Sequence, residues 1–85
     1  MPVIAELRVM PKDSEVDLNA IIREIKEKLG PVLRSVREDP IGFGITALRL
    51  TLVVEDSEGG IDPFEDKVKG VLGVGEVDVT SLDLV

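Results

Sequence analysis

The hydrophobic pattern of this 85-residue chain predicts an α+β fold, and three observations carry that expectation. Apolar residues alternate at strand period in two long segments, around residues 3–10 and 45–54. They recur at helical spacing after Asp17 and again after Asp62. Turn-forming residues divide these segments into the order strand, helix, strand, strand, helix, strand. Two split βαβ halves in that order make a ferredoxin-like βαββαβ sandwich, a four-stranded antiparallel sheet with two helices on one face. Residues 1–85 are expected to form a single domain, because a chain this short has too little interior for two cores.

The first strand has Val3, Ala5, Leu7 and Val9 on one face and Ile4, Glu6, Arg8 and Met10 on the other, and Pro11 ends it. After a polar connection, Asp17 stands where an N-cap belongs. Leu18, Ile21, Ile22, Ile25 and Leu29 then form an apolar helical stripe that stops at Gly30-Pro31. Val32 to Glu38 reads as a short edge strand, since only Leu33 and Val36 are clearly apolar and Arg34 and Arg37 interrupt them.

Ile45 to Val54 is the most apolar strand and should be central with the first, with Leu48, Leu50, Leu52 and Val54 on one face. Asp62-Pro63-Phe64-Glu65 predicts a helix start with Asp62 as N-cap, Pro63 at the first helical position and Glu65 completing a capping box. Phe64, Val68 and either Val71 or Leu72 supply its stripe, and Val77, Val79, Leu82 and Leu84 make a last alternating strand.

Composition excludes several chemistries. Without cysteine or histidine the chain has no thiolate nucleophile, no cysteine-held metal and no imidazole base or ligand. No spacing of Ser, Thr, Lys or carboxylates singles out a nucleophile with a base, so no enzymatic covalent chemistry and no cofactor are expected. Seventeen acidic residues against ten basic ones give a net charge of −7, which opposes phosphate-driven nucleic-acid binding and favours a basic protein partner. The predicted central strands also lack the aromatics that stack single-stranded bases. Glu6 and Arg8 break the N-terminal apolar run far short of a membrane span, so a cytoplasmic location without membrane contact is expected.

Two acidic or glycine-rich features have ordinary explanations. Glu55, Asp56, Glu58 and Asp62 lack the loop length and closing glutamate of a calcium-binding loop and read as a solvated turn before a helix cap, with no metal. Gly59-Gly60 lacks the further glycines or Lys-Ser/Thr pair of a phosphate cradle.

One stretch stands out. Asp39-Pro40-Ile41-Gly42-Phe43-Gly44-Ile45 places one of the chain's two aromatic residues between two glycines. Its ring is either folded back over the sheet edge between the second and third strands or exposed on a hairpin tip that inserts into a partner.

The sequence resembles archaeal elongation factor 1-beta and the guanine-nucleotide-exchange domain of its eukaryotic counterpart over essentially the whole chain. The likeness rests on Arg8-Val9-Met10-Pro11, Asp17-Leu18, the heptapeptide 39–45 with Ala47-Leu48 after it, and Val53-Val54-Glu55-Asp56 with Gly59-Gly60 and Asp62. It implies a factor that releases GDP from the GTPase elongation factor 1-alpha, so that GTP binds and aminoacyl-tRNA is loaded. It implies partner contact through Phe43, flanked by Gly42, Gly44, Ile41 and Pro40, because an aromatic ring at that position in eukaryotic relatives enters a pocket of the GTPase.

Those relatives also direct a basic residue beside the chain end toward the magnesium site. Here Asp83 and Leu84 stand where archaeal relatives commonly have arginines, so Leu84 and Val85, with Lys12 as a substitute cation, are weaker contact candidates. The competing expectation is a small ligand-sensing ferredoxin-like regulatory domain. Such domains usually admit their ligand at a glycine after the first strand, and Pro11-Lys12-Asp13-Ser14-Glu15 has none.

Overall fold

The computed structural model describes residues 1–55 and 60–85. Its elements run β1 (Pro2–Pro11), α1 (Leu18–Leu29), a 3₁₀ turn (Gly30–Val32), β2 (Leu33–Gly42), β3 (Ile45–Glu55), α2 (Asp62–Lys69) and β4 (Val74–Leu84). The antiparallel sheet has the order β2-β3-β1-β4, which puts the two most apolar strands at its centre, as the ferredoxin-like arrangement requires.

One face of that sheet is dry. Ala5, Leu7 and Val9 of β1 and Leu48, Leu50, Leu52 and Val54 of β3 form a core cluster with Ile21, Ile25 and Leu29 of α1 and with Val68 and Val71 beyond it. The Asp17 carboxylate accepts from the Ala20 N–H, and the Gly30 N–H donates to Lys26 O, so α1 is closed at both ends as its sequence predicts. Lys26 and Lys28 in its last turn complement the negative end of the helix dipole.

Three expectations need correction. The edge strand is longer than Val32–Glu38, because Pro40 lacks only a donor and an edge strand tolerates that loss. In α2 the N-cap is Ile61, whose backbone is already helical, so Asp62 lies inside the first turn and makes no capping bond. Asp62 and Glu65 favour that helix start through its dipole instead. The last strand does not alternate strictly, since Leu7 pairs with Val79 and Glu6 with Ser81, leaving Thr80 as a bulge. The bulge returns Leu82 and Leu84 to the face of Val77 and Val79, which simple alternation cannot do. Of the two alternatives after α2, Val71 is buried and Leu72 is exposed. The readings placed on Asp56, Glu58 and Gly59 lie outside the described residues.

Candidate functional site: the Phe43 hairpin and the end it caps

The β2–β3 connection is a two-residue hairpin. Gly42 pairs with Ile45, leaving Phe43 and Gly44 as the loop, with φ of 56° and 74°. Positive φ at both loop positions suits the right-handed twist of the flanking strands and is the geometry that usually selects Asn-Gly. Phe43 is the sole non-glycine residue with positive φ among the described residues. An L-residue in the left-handed region costs roughly 1–2 kcal/mol. No burial offsets that cost, because Phe43 is 99% exposed.

The fold-back reading of the ring is therefore wrong for the free protein. With only a two-residue loop the side chain has no segment on which to return to the sheet. The other phenylalanine, Phe64, behaves as a packing residue, half-buried against the core with Lys67 Nζ 5.4 Å from its ring centroid.

The rest of the motif supports the ring. Asp39 accepts a 2.9 Å hydrogen bond from Arg49 Nε, tying β2 to β3 on the open sheet face just below the tip. Pro40 pairs with Thr46 and stiffens the last turn of the edge strand. Ile41 is partly exposed beside the ring and widens the apolar tip. Gly42, at φ 105°, has no heavy atom within 4 Å of a Cβ placed on it, so its neighbourhood is open. A Cβ on Gly44 would lie 3.6 Å from Ser14 Cβ, so the tip rests against the β1–α1 loop. A cleft of about 110 Å³ lined by Pro11, Ser14 and Gly44, among others, lies at that junction.

The structure separates the remaining candidates. Lys12 is on the same β1–α1 loop, where its N–H donates 2.8 Å to Gly73 O, and it shares the hairpin's end of the molecule. Leu84 pairs with Val3 and the Val85 N–H donates to Pro2 O, at the opposite end. Val3 pairs with Val54, nine residues along β3 from Ile45, so the ring and the chain end are about 30 Å apart at about 3.3 Å per residue. Both terminal residues are largely exposed.

The open sheet face carries ion-paired charge rather than stacking rings. Arg37, Arg49 and Arg8 lie in one row across β2, β3 and β1, and Arg8 continues to Asp78 of β4 at 3.7 Å. Like charges directly opposite each other repel, and the flanking Asp39 and Asp78 relieve that repulsion.

The sequence profile described as the EF-1 guanine nucleotide exchange domain matches residues 4–85. The chain belongs to that family. It is 40% identical over 82 residues to the elongation factor 1-beta of Methanothermobacter thermautotrophicus, covering 94% of this chain and 92% of the relative. The elongation factor 1-beta of Thermoplasma volcanium is 36% identical over 85 residues, covering 98% and 97%.

Among solved structures, the ACT domain from the GTP pyrophosphokinase of Chlorobium tepidum superposes with a TM-score of 0.71 in its solution form and 0.67 in its crystal form. The crystal form covers 93% of this chain and 99% of the ACT domain. At 22% identity that likeness establishes the shared sandwich alone. The ligand-sensing expectation is accordingly not favoured, since sequence kinship runs to the exchange family.

The two glycines around Phe43 mark an unusual backbone and leave fold-back and exposure both open, and the sequence does not single out a second exposed apolar residue at the same end, Leu72. Its signal is the turn Val71-Leu72-Gly73-Val74, in which the leucine precedes a glycine.

Proposed function

We propose that the chain accelerates exchange of GDP for GTP on elongation factor 1-alpha, regenerating the GTP form that binds aminoacyl-tRNA, and that Phe43 is the anchor that enters the GTPase. The observation that carries this reading is a fully exposed aromatic ring held in an unfavourable backbone conformation. A protein gains nothing for its own fold from that combination, whereas a desolvated aromatic anchor in a partner's pocket contributes at least about 2 kcal/mol.

The mechanism is linkage. A factor that binds the nucleotide-free GTPase more tightly than the GDP form must weaken GDP by the same ratio. No bond is made or broken, and no cofactor takes part. The ring, flanked by Pro40, Ile41, Gly42 and Gly44, acts as a rigid wedge, and Lys12 stands behind it as the nearest cation on the β1–α1 loop. Leu84 and Val85 form a separate apolar contact at the far end. Asp83 there would attract rather than repel a magnesium ion, so the wedge carries the main effect. The net charge of −7 steers the protein toward a basic partner and away from nucleic acid or a membrane surface, in keeping with a cytoplasmic factor in which residues 1–85 form one exchange domain.

Release of fluorescent GDP from the GTPase tests this. The protein should accelerate release, and Phe43→Ala should lose most of the acceleration while keeping its fold. A Phe43→Ala variant as active as the parent sinks the wedge.

A further inference from the structure

Leu72 is 85% exposed, and the backbone on either side of it is fixed. Its predecessor Val71 is buried, the Val74 N–H closes the turn onto Val71 O at 3.1 Å, and Gly73 takes the positive φ of 95° that this turn needs. The Lys12 N–H fastens Gly73 O to the end of β1. A Cβ on Gly73 would meet Ile21 Cδ1 at 3.1 Å, so the turn is pressed onto α1.

Beside this fixed leucine is an open cleft of about 350 Å³ with Val16 and Ala20 among its walls. Asp13, Glu15 and Asp17 also line it, three carboxylates against the single ammonium of Lys12. Asp13 and Asp17 each spend one oxygen on a backbone N–H, from Glu15 and Ala20. Glu15 makes no side-chain hydrogen bond or ion pair among the described residues. The cleft is continuous with the Phe43 end through the β1–α1 loop, whose Ser14 touches the hairpin at Gly44. In the sheet only β1 separates β3, which leaves the hairpin, from β4, which follows Leu72.

We infer that this cleft is a second contact for the same GTPase and takes one of its lysine or arginine side chains. The methylenes lie against Leu72, Val16 and Ala20, and the charge faces Glu15 and Asp13. Long basic side chains are suited to such a surface because their stems are apolar and their ends are charged. The inference rests on the exchange reading above and adds to it a site that sets affinity rather than opening the nucleotide pocket.

The test is a titration of the GTPase carrying fluorescent GDP, reading the half-saturating concentration separately from the plateau rate. Leu72→Ala should raise the half-saturating concentration about fivefold, and Glu15→Lys about tenfold at low salt with the penalty shrinking as salt is added. Phe43→Ala should instead lower the plateau. Both cleft positions are exposed, so each variant should melt within a few degrees of the parent. If the parent accelerates release while both cleft variants keep its half-saturating concentration within about twofold, the cleft is overturned and the exchange reading stands. A parent without activity removes the exchange reading and the cleft with it.

Discussion

Replacing Phe43 by asparagine should make the protein more stable and less active. The ring is 99% exposed, so its removal forfeits no burial. What changes is the backbone: at φ 56° an ordinary L-residue carries roughly 1–2 kcal/mol of strain, and asparagine tolerates that region through its short polar side chain. Asn followed by Gly44 is also the pair this hairpin geometry prefers. Recovering about half of the strain gives about 0.5–1 kcal/mol of stability. In a domain of this size that is a rise of about 2–8 °C in Tm. Thermal unfolding followed by circular dichroism measures it. Fluorescent-GDP release at a fixed subsaturating concentration should fall at least about thirtyfold, the equivalent of losing an anchor of about 2 kcal/mol. A Tm that drops by several degrees would mean the ring packs on its own protein, and an unaltered release rate would mean it is not the wedge.

Elsewhere the expected effects are structural. Leu50→Ala, at a fully buried position of β3, should lose about 2–5 kcal/mol in urea unfolding. Asp17→Ala removes the bond to the Ala20 N–H and should cost about 1 kcal/mol, measured the same way. Asp39→Ala breaks a half-exposed pair with Arg49, so its cost should stay below about 1 kcal/mol and fade in high salt. Gly73→Ala should destabilise the turn under Leu72, since the new Cβ would combine positive φ with a 3.1 Å approach to Ile21 Cδ1, and a Tm equal to the parent's would show that the turn yields.

The sheet centre was legible because burial dictates its residues. Leu48, Leu50, Leu52 and Val54 alternate without interruption and all four are buried, so period and packing agree. The margins were less legible because backbone rather than burial decides them. Pro40 and Gly42 look like loop residues, but an edge strand needs hydrogen bonds on one side only and includes both. Asp62 has the chemistry of a cap, yet Ile61 is already helical and displaces it by one position. The Thr80 bulge did leave a trace, since Val79 to Leu82 is a three-residue step that no regular strand can place on one face. For the site, glycine on both sides of Phe43 pointed to an unusual backbone, but the ring's exposure follows from loop length, and a two-residue loop appears only once Gly42 is paired with Ile45.

The distance between the two ends limits how the two proposed contacts can operate. Phe43 and Leu84 are about 30 Å apart along a rigid hydrogen-bonded sheet, so a GTPase touching both must present a surface of at least that span. One nucleotide pocket is far smaller, so the two proposed contacts would bear on different parts of the partner. Because the sheet between them is packed on one face and laced with ion pairs on the other, it transmits position rather than bending. On the exchange reading, Asp83 and Leu84 bring no positive side chain to the chain end, so seating Leu84 and Val85 would help by fixing where the opposite end stands. On that reading the free energy that opens the site would come from the Phe43 end, where the paired hairpin already fixes the backbone under the ring and the side-chain rotamers are what remains to be ordered on binding.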